Sequence, residues 1–183
     1  MKIFFRLLSI ALFAAALPLS ANANILRFEA TLSAANEPSL IAPSIGQGIA
    51  DVVLDDVTNM LTVSLTWVNL TGAAIAGHIH CCAPLGSSGA VRVPFTGLPA
   101  SASGSFTGTF ALPGTLPGMP PLSLADFITG LKTGQAYVNL HTLANTGGEI
   151  RGQLFAVPEP ASLALFGIGL AGFGWLTRRR AAR

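Results

Sequence analysis

The chain has 183 residues, of which 51% are hydrophobic and 10% are charged, and its formal net charge is +2 at pH 7. Six of the ten Lys and Arg residues lie in the terminal segments 1–23 and 157–183, so both the positive charge and much of the hydrophobicity belong to the two ends. Between residues 24 and 156, four basic against seven acidic side chains leave a charge of −3. This middle segment has no basic run, which excludes a nucleic-acid-binding surface, and it is long enough for one hydrophobic core.

The N-terminal residues 1–23 have the pattern of a secretory signal peptide. A positively charged start leads into an apolar run over residues 7–19, and the small residues Ala21 and Ala23 follow. The run is shorter than the roughly 20 residues that a membrane-spanning helix needs. We therefore expect signal peptidase to cut after Ala23, so that the exported protein begins at Asn24.

Alternating apolar and polar residues in the segment 24–156 predict short, half-buried β-strands. Clusters of Gly, Pro, Asn and Ser separate the alternating stretches at near-regular spacing. This spacing is typical of an antiparallel β-sandwich of about eight strands. The predicted strands are residues 27–32, 48–54, 61–67, 74–82, 90–95, 104–111, 135–142 and 149–155.

A Pro-rich segment and one short helix interrupt the strand pattern. Residues 112–122 contain four prolines, which cannot join a central strand because proline lacks the backbone donor, so we expect a surface connection there. Ser123 can cap a following helix together with Asp126, and Gly134 can end that helix after Lys132. The predicted fold class is therefore all-β with one short helix.

The three histidines of the chain fall in two predicted strands and form a candidate metal site. His78 and His80 are two residues apart, so they share one strand face with attachment points roughly 6.6 Å apart. The same rule places His141 on one face with Tyr137 and Asn139. Imidazole is a common ligand of copper and zinc, so the hypothesis is a three-histidine site for Cu or Zn. The alternative is a hydrogen-bonded cluster that fixes strand register.

A polar network beside His141 is predicted from the register of a hairpin. Residues 143–148 are short enough to close a hairpin between two of the predicted strands. We expect Glu149 and Arg151 to pair with each other on its polar face and to satisfy their cross-strand neighbours. The cross-strand pairs in this register are Leu140 with Ile150, His141 with Glu149, and Asn139 with Arg151.

Cys81 and Cys82 are the only cysteines and they are adjacent. Thiols of an exported protein meet an oxidising compartment, in which they tend to become disulfides. Neighbouring side chains on a strand point to opposite faces, so a disulfide between them requires a local turn, for which Pro84 and Gly86 are suitable. Two alternatives stay open: a reduced pair that binds copper beside His80, and an intermolecular disulfide.

No combination of residues in the segment 24–156 is typical of an enzyme active site. No serine stands in a nucleophile-elbow motif, no Gly-rich phosphate loop follows a predicted strand, and no paired carboxylates stand out. We therefore expect a protein that is not an enzyme. A metal protein similar to the Cu/Zn superoxide dismutases is the alternative, although three histidines in total do not supply a full dinuclear site.

The C-terminal residues 157–183 combine three features of a membrane-sorting tail. A Pro-Glu-Pro triplet stops regular structure, a Gly-rich apolar run over residues 161–176 follows, and three arginines come next. By the positive-inside rule the arginines stay cytoplasmic, and we predict a short transmembrane helix that anchors the protein transiently. The sorting residues in this interpretation are Pro158, Glu159, Pro160, Arg178, Arg179 and Arg180.

This tail resembles the PEP-CTERM sorting signal of Gram-negative bacteria, because VPEP, a Gly-rich apolar stretch and RRR occur in that order. The resemblance implies recognition and cleavage by an exosortase, a membrane-embedded transpeptidase-like protease of organisms that make exopolysaccharide. The protein is then a substrate of signal peptidase and exosortase that ends at the cell surface or outside the cell. Exopolysaccharide and other envelope components are its candidate partners.

The residues between the two terminal segments resemble a CHRD domain, the module named after its repeats in chordin. The resemblance rests on FEATLSAANEP, VNLTG, AGHIHCCAPLG and GQAYVNLHTLANTGGEIRGQL, which occur in this order. It implies an all-β extracellular module without an established catalytic activity. The sequence thus predicts three parts: a signal peptide (1–23), a CHRD-like β-sandwich domain (24–156), and a sorting signal with a transmembrane helix (157–183).

Overall fold

The computed structural model describes residues 25–158, together with Gly169. The predicted signal peptide, the start at Asn24, the predicted transmembrane helix and all sorting residues except Pro158 lie outside the described residues. Within the described part, no helix is both long enough and apolar enough to cross a membrane.

Eight longer strands, three two-residue strands and one α-helix form the described domain. All eight predicted strands are present, and the predicted helix is confirmed. The strands are β1 (Ile25–Ser33), β2 (Gln47–Asp55), β3 (Met60–Val68), β4 (Ala74–Cys81), β5 (Ala90–Pro94), β6 (Gly104–Ala111), β7 (Thr115–Leu116), β8 (Leu122–Ser123), β9 (Tyr137–Thr142), β10 (Ile150–Gln153) and β11 (Phe155–Ala156). The helices are α1 (Leu124–Lys132) and a 3₁₀ turn over Ala34–Asn36.

The eight longer strands form one continuous antiparallel sheet in the order β5, β4, β9, β10, β1, β2, β3, β6, and β11 adds to β1. The sheet is nearly closed, because Phe95, which follows edge strand β5, stacks on Phe106 and Phe110 of edge strand β6. The predicted all-β class, strand number and antiparallel pairing are therefore correct. The structure differs from the predicted sandwich in one respect, because these strands form a single curled sheet and not two sheets packed face to face.

The hydrophobic core lies inside this curled sheet and follows the predicted alternation. In β2 and β3, every second side chain is buried, as the period of a strand requires. Trp67 of β3 is buried, and its indole N–H donates to the carbonyl oxygen of Ser101 at 3.0 Å. The buried polar atom of this large side chain is thus satisfied.

The Pro-rich segment stays outside the main sheet, as predicted, but it is more firmly held than a surface connection. Its two short strands, β7 and β8, pair with each other, and Leu116 is buried. The guanidinium of buried Arg92 donates to the carbonyl oxygens of Pro117 and Pro120, each at 2.8 Å. Prolines lack a backbone donor but keep the carbonyl acceptor, so the guanidinium can hold them where a neighbouring strand receives no hydrogen bond from them.

Helix α1 begins and ends where the sequence predicts. The Ser123 hydroxyl accepts from the backbone N–H of Asp126 at 3.1 Å and donates to its carboxylate at 2.6 Å. Gly134, just beyond the helix, adopts a φ of 69°, which glycine tolerates best. The helix buries Phe127 and Leu131 against the sheet next to the end of β4.

Candidate functional site

The three histidines converge on one face of the sheet because β4 and β9 are neighbours. In the ladder, His78 lies opposite Asn139 and His80 lies opposite Tyr137. One ring nitrogen from each histidine lies within 4.8 Å of the others, and Nδ1 of His78 is 3.1 Å from Nε2 of His141. The structure therefore brings together all three candidate metal ligands.

Two of the three rings are oriented by backbone carbonyl groups. Nδ1 of His80 lies 2.9 Å from the carbonyl oxygen of Gly89, and Nδ1 of His141 lies 2.9 Å from that of Thr146. A carbonyl oxygen only accepts, so each Nδ1 carries the hydrogen. In the neutral rings, Nε2 of both histidines consequently presents a lone pair towards the cluster.

Burial keeps the three imidazoles uncharged at neutral pH. It lowers the pKa of His78 to about 4, with further lowering by the neighbouring His141 and His80. The pKa values of His80 and His141 are also lowered, first by burial, although the carbonyl groups of Gly89 and Thr146 oppose this. Neutral imidazole is the form that binds metal ions.

His80 is the most enclosed of the three rings, with 8% of its surface exposed. Its ring stacks on Tyr137, with centroids 4.7 Å apart and planes 3° from parallel. The Tyr137 hydroxyl accepts from the N–H of Gly89 at 3.1 Å, so the same residue that orients His80 also positions its stacking partner. Nε2 of His80 is buried and has no hydrogen-bond partner.

Asn139 completes the polar face beside the histidines. Its Oδ1 lies 3.0 Å from Nε2 of His141, while its Nδ2 donates to the carboxylate of Glu37 at 3.4 Å. Burial raises the pKa of Glu37, which the bond from Asn139 and the charge of Arg151 partly offset. The bond to Glu37 sets the orientation of the Asn139 amide and turns its oxygen towards the histidines.

The predicted hairpin register is confirmed, but the predicted partners of Glu149 are wrong. Leu140 pairs with Ile150 and Asn139 with Arg151, as expected. The regular ladder begins only at Ile150, and Glu149 turns away from the histidine face. Its fully buried carboxylate instead accepts from the following groups: the Ser44 hydroxyl and the Thr71 N–H, each at 2.6 Å, and the hydroxyls of Thr71 and Thr142.

These bonds determine the charge of Glu149. Burial alone would raise its pKa, but the hydrogen bonds from Ser44, Thr142 and Thr71 together outweigh burial and hold the pKa below its usual range. The ionised carboxylate therefore ties two loops to the end of β9. Glu149 has a structural role on the side of the sheet away from the histidines.

Arg151 likewise has partners other than the predicted carboxylate. Its guanidinium carbon lies 3.4 Å from the centre of the Tyr137 ring, and its Nη2 donates to the carbonyl oxygen of Ser87 at 2.7 Å. Cation–π attraction and one charge-assisted bond thus replace the expected ion pair. Through Tyr137, Arg151 is part of the packing that holds His80.

Cys81 and Cys82 are joined by a disulfide at the end of β4, directly after His80. In this state their sulfurs are not available as thiolate ligands beside His80. The disulfide packs against Gly130 of helix α1, where a Cβ atom would collide with both sulfurs. The vicinal bond is therefore enclosed between the strand end and the helix.

Several residues around the site were missed by the sequence analysis. Glu37 reaches Asn139 across 102 positions of sequence, and the orienting carbonyl groups of Gly89 and Thr146 carry no side-chain signal. Tyr137 was placed on the correct face, but its stacking on His80 depends on the alignment of two strands. A pattern read along one strand does not contain these relations.

An open groove of about 740 Å³ lies along the outer face of β1, β10 and β11. Glu29, Arg151 and Gln153 give it polar groups, while Phe155, which is 59% exposed, gives it an aromatic surface. Pro158, the first proline of the Pro-Glu-Pro triplet, lies at the same groove. The groove is thus an amphipathic surface next to the point where the domain ends.

Fold and site together define a small all-β module with a polar histidine face, followed by a sorting segment. A family model for the CHRD domain matches residues 28–154, and the chain belongs to this family. A second model, for the PEP-CTERM protein-sorting motif, matches residues 156–180. Both resemblances predicted from the sequence are thereby confirmed. No curated protein and no solved structure matches the chain.

The two matches locate the protein in broad terms. The PEP-CTERM motif indicates export and sorting to the cell envelope of a Gram-negative bacterium, with processing by exosortase-type machinery. Neither family is known as a family of enzymes.

Proposed function

We propose that the protein is an exosortase substrate whose CHRD domain acts as a non-catalytic interaction module at the cell surface or in the extracellular matrix. The observation that supports this is the order of the two matched segments, since the sorting motif begins at residue 156 and the CHRD match ends at residue 154. The sorting signal is thus attached directly to a folded domain, which it delivers as cargo.

Processing follows from the chemistry of the tail. The three arginines hold the C-terminus on the cytoplasmic side, so the Pro158–Pro160 triplet is presented to a protease embedded in the membrane. Cleavage then removes the apolar run and releases the domain. Signal peptidase acts at the other end, after Ala23.

The test follows the tail in the host. A tag inserted in the domain allows the size of the protein to be compared between two strains. In the parental strain the protein should have lost its C-terminal tail, and in a strain without exosortase it should keep the tail. Glu159→Ala should also retain the tail, whereas Asp51→Asn, a charge-removing change on an exposed position of β2, should be processed normally. Equal processing in the presence and absence of exosortase would contradict the proposal.

We propose that the groove along β1, β10 and β11 is the interaction surface of the domain. An exposed aromatic ring beside charged and amide groups suits a partner with both apolar faces and hydroxyl groups, such as a polysaccharide of the envelope. Host exopolysaccharide is therefore the partner that we propose.

This partner is tested with the processed protein and purified host exopolysaccharide. Phe155→Ser should weaken binding by about tenfold, which corresponds to about 1.4 kcal/mol. Leu143→Ser removes a side chain that is 82% exposed outside the groove, and it should leave binding unchanged. Equal binding of both variants would remove the groove from the interface.

A further inference from the structure

The polar face of β4 and β9 contains more acceptors than its hydrogen bonds can satisfy. His80 and His141 each donate their Nδ1 hydrogen to a backbone carbonyl, so neither has a ring hydrogen left for the cluster. The only remaining ring hydrogen belongs to His78, and from Nδ1 it can reach Nε2 of His141 at 3.1 Å. This one hydrogen is the only ring donor for three acceptor atoms, which are Nε2 of His80, Nε2 of His141 and Oδ1 of Asn139.

Two of these atoms are left without a compensating donor. Oδ1 of Asn139 faces Nε2 of His141 at 3.0 Å, and both atoms are acceptors in this arrangement. Nε2 of His80 is buried and has no partner at all. A buried acceptor without a donor is destabilising, so a cluster that serves only to fix strand register is not expected to contain two of them.

The spacing of the donor atoms matches the requirements of one metal ion. Copper or zinc bound to imidazole at about 2.0–2.1 Å places two ligand atoms about 3.3 Å apart in a tetrahedral site. The 3.1 Å between His78 and His141 is close to this value, and the third nitrogen lies within 4.8 Å of the others. Binding of one ion therefore requires the third nitrogen to move closer to the other two.

We propose that His78, His80 and His141 bind one divalent copper or zinc ion, with Oδ1 of Asn139 next to the fourth coordination position. His78 then carries its ring hydrogen on Nε2 and presents Nδ1 to the ion. The ion supplies positive charge to every lone pair that the hydrogen bonds leave unsatisfied. This inference goes beyond the proposed function, which requires no metal.

The groups around the three ligands support the assignment. Metal-binding histidines commonly donate their second ring N–H to a backbone carbonyl, and Gly89 and Thr146 provide this bond here. By the usual order of affinities, Cu(II) should bind more tightly than Zn(II).

The first test measures binding of CuCl₂ and ZnCl₂ to the processed protein by calorimetry. We expect one ion per chain with a dissociation constant below about 10 μM, or about −7 kcal/mol. His80→Ala and His141→Gln should each weaken binding by about 100-fold, which corresponds to about 2.8 kcal/mol. Circular dichroism selects the variants that remain folded, and His141→Gln keeps a polar side chain in case His80→Ala does not fold.

A second measurement distinguishes this site from adventitious binding. Electron paramagnetic resonance of the Cu(II) protein should show coupling to imidazole nitrogens, which can come only from these residues because the chain has three histidines. Asn139→Asp places a carboxylate at the fourth position and should strengthen binding about tenfold. Saturable binding weaker than 10 μM, or binding unchanged in the folded histidine variants, would show that the histidines only fix the strands.

Discussion

Glu149 shows how one buried carboxylate determines the local structure at the end of β9. Its bonds join Ser44 and Thr71, which lie 105 and 78 positions away in sequence, to Thr142. The residue type alone suggested a partner of opposite charge. In the structure, hydroxyl and backbone N–H groups meet the same need for donors, and they leave Arg151 for the aromatic ring of Tyr137.

We predict that Glu149→Gln lowers the free energy of unfolding by about 2–3 kcal/mol at pH 7. The amide has no negative charge, and its NH₂ group faces donors that the carboxylate oxygens accepted from, such as the backbone N–H of Thr71. Since the pKa of Glu149 is lowered in the fold, its contribution is present above its ordinary value of 4.5 and is lost as pH falls through the folded value.

Urea unfolding at pH 7 and at pH 3.5 checks this prediction. The difference between the wild type and Glu149→Gln should be largest at pH 7 and should decrease at the lower pH. Glu29→Gln is the matched control, because Glu29 lies on an exposed position of β1. A difference that is equal at both pH values would contradict the role of the ionised carboxylate.

Gly130 provides a second prediction at the scale of one residue. Alanine normally favours a helix over glycine by about 1 kcal/mol, but a Cβ here meets the sulfurs of Cys81 and Cys82. We expect Gly130→Ala to destabilise the protein by about 1–3 kcal/mol because the packed disulfide cannot move aside. Thermal unfolding measures the effect. Gly114→Ala, where a Cβ meets nothing within 4 Å, should change little.

At the scale of elements, the sequence predicted what repeats along a strand or lies close in the chain. The eight strands, helix α1 and the pairing of Leu140 with Ile150 all depend on local periodicity or a short loop. Glu149 does not lie on the predicted face of the sheet, because the regular pairing of β10 with β9 begins only at the next residue, Ile150. The contact between Glu37 and Asn139 requires knowing which strands are neighbours, and side-chain alternation does not contain that information.

The Pro-rich segment gives a prediction at this scale. Arg92 connects strand β5 to three carbonyl groups, those of Cys81, Pro117 and Pro120. Arg92→Met keeps much of the apolar stem but removes all of these donors, so the segment over residues 112–122 should open more often. Thermolysin should cut there about tenfold faster than in the wild type if the substitution lowers the free energy of opening this segment by about 1.4 kcal/mol.

The control for this experiment is Arg27→Met, since Arg27 lies on an exposed position of β1. Its cleavage pattern should match the wild type. Unchanged cleavage of Arg92→Met within residues 112–122 would show that the segment is held by the burial of Leu112 and Leu116 alone.

At the scale of the whole molecule, the first strand of the sheet lies next to the last. β1 pairs with β2 along its full length, and its other side meets β10 and β11. The backbone N–H of Val157 donates to the carbonyl oxygen of Arg27 at 2.9 Å, one residue before the Pro-Glu-Pro triplet. The sheet is therefore completed by the residues at which the sorting motif begins.

This arrangement limits where the tail can be removed without loss of stability. We predict that a chain ending at Pro158 unfolds with the same free energy as the full mature chain, whereas a chain ending at Leu154 is less stable by about 1–3 kcal/mol. The shorter chain loses the pairing of Phe155 and Ala156 with β1 and the bond from Val157.

Urea unfolding of the two truncated chains measures the difference, and hydrogen exchange locates it. Amides of β1 near Phe28 and Glu29 should exchange faster only in the chain that ends at Leu154, because these residues pair with β11. Equal stability of both chains would mean that β11 contributes nothing to the sheet. If the prediction holds, an exosortase that cuts beyond Val157 releases a domain whose sheet is intact, because every strand that the described residues form precedes the Pro-Glu-Pro triplet.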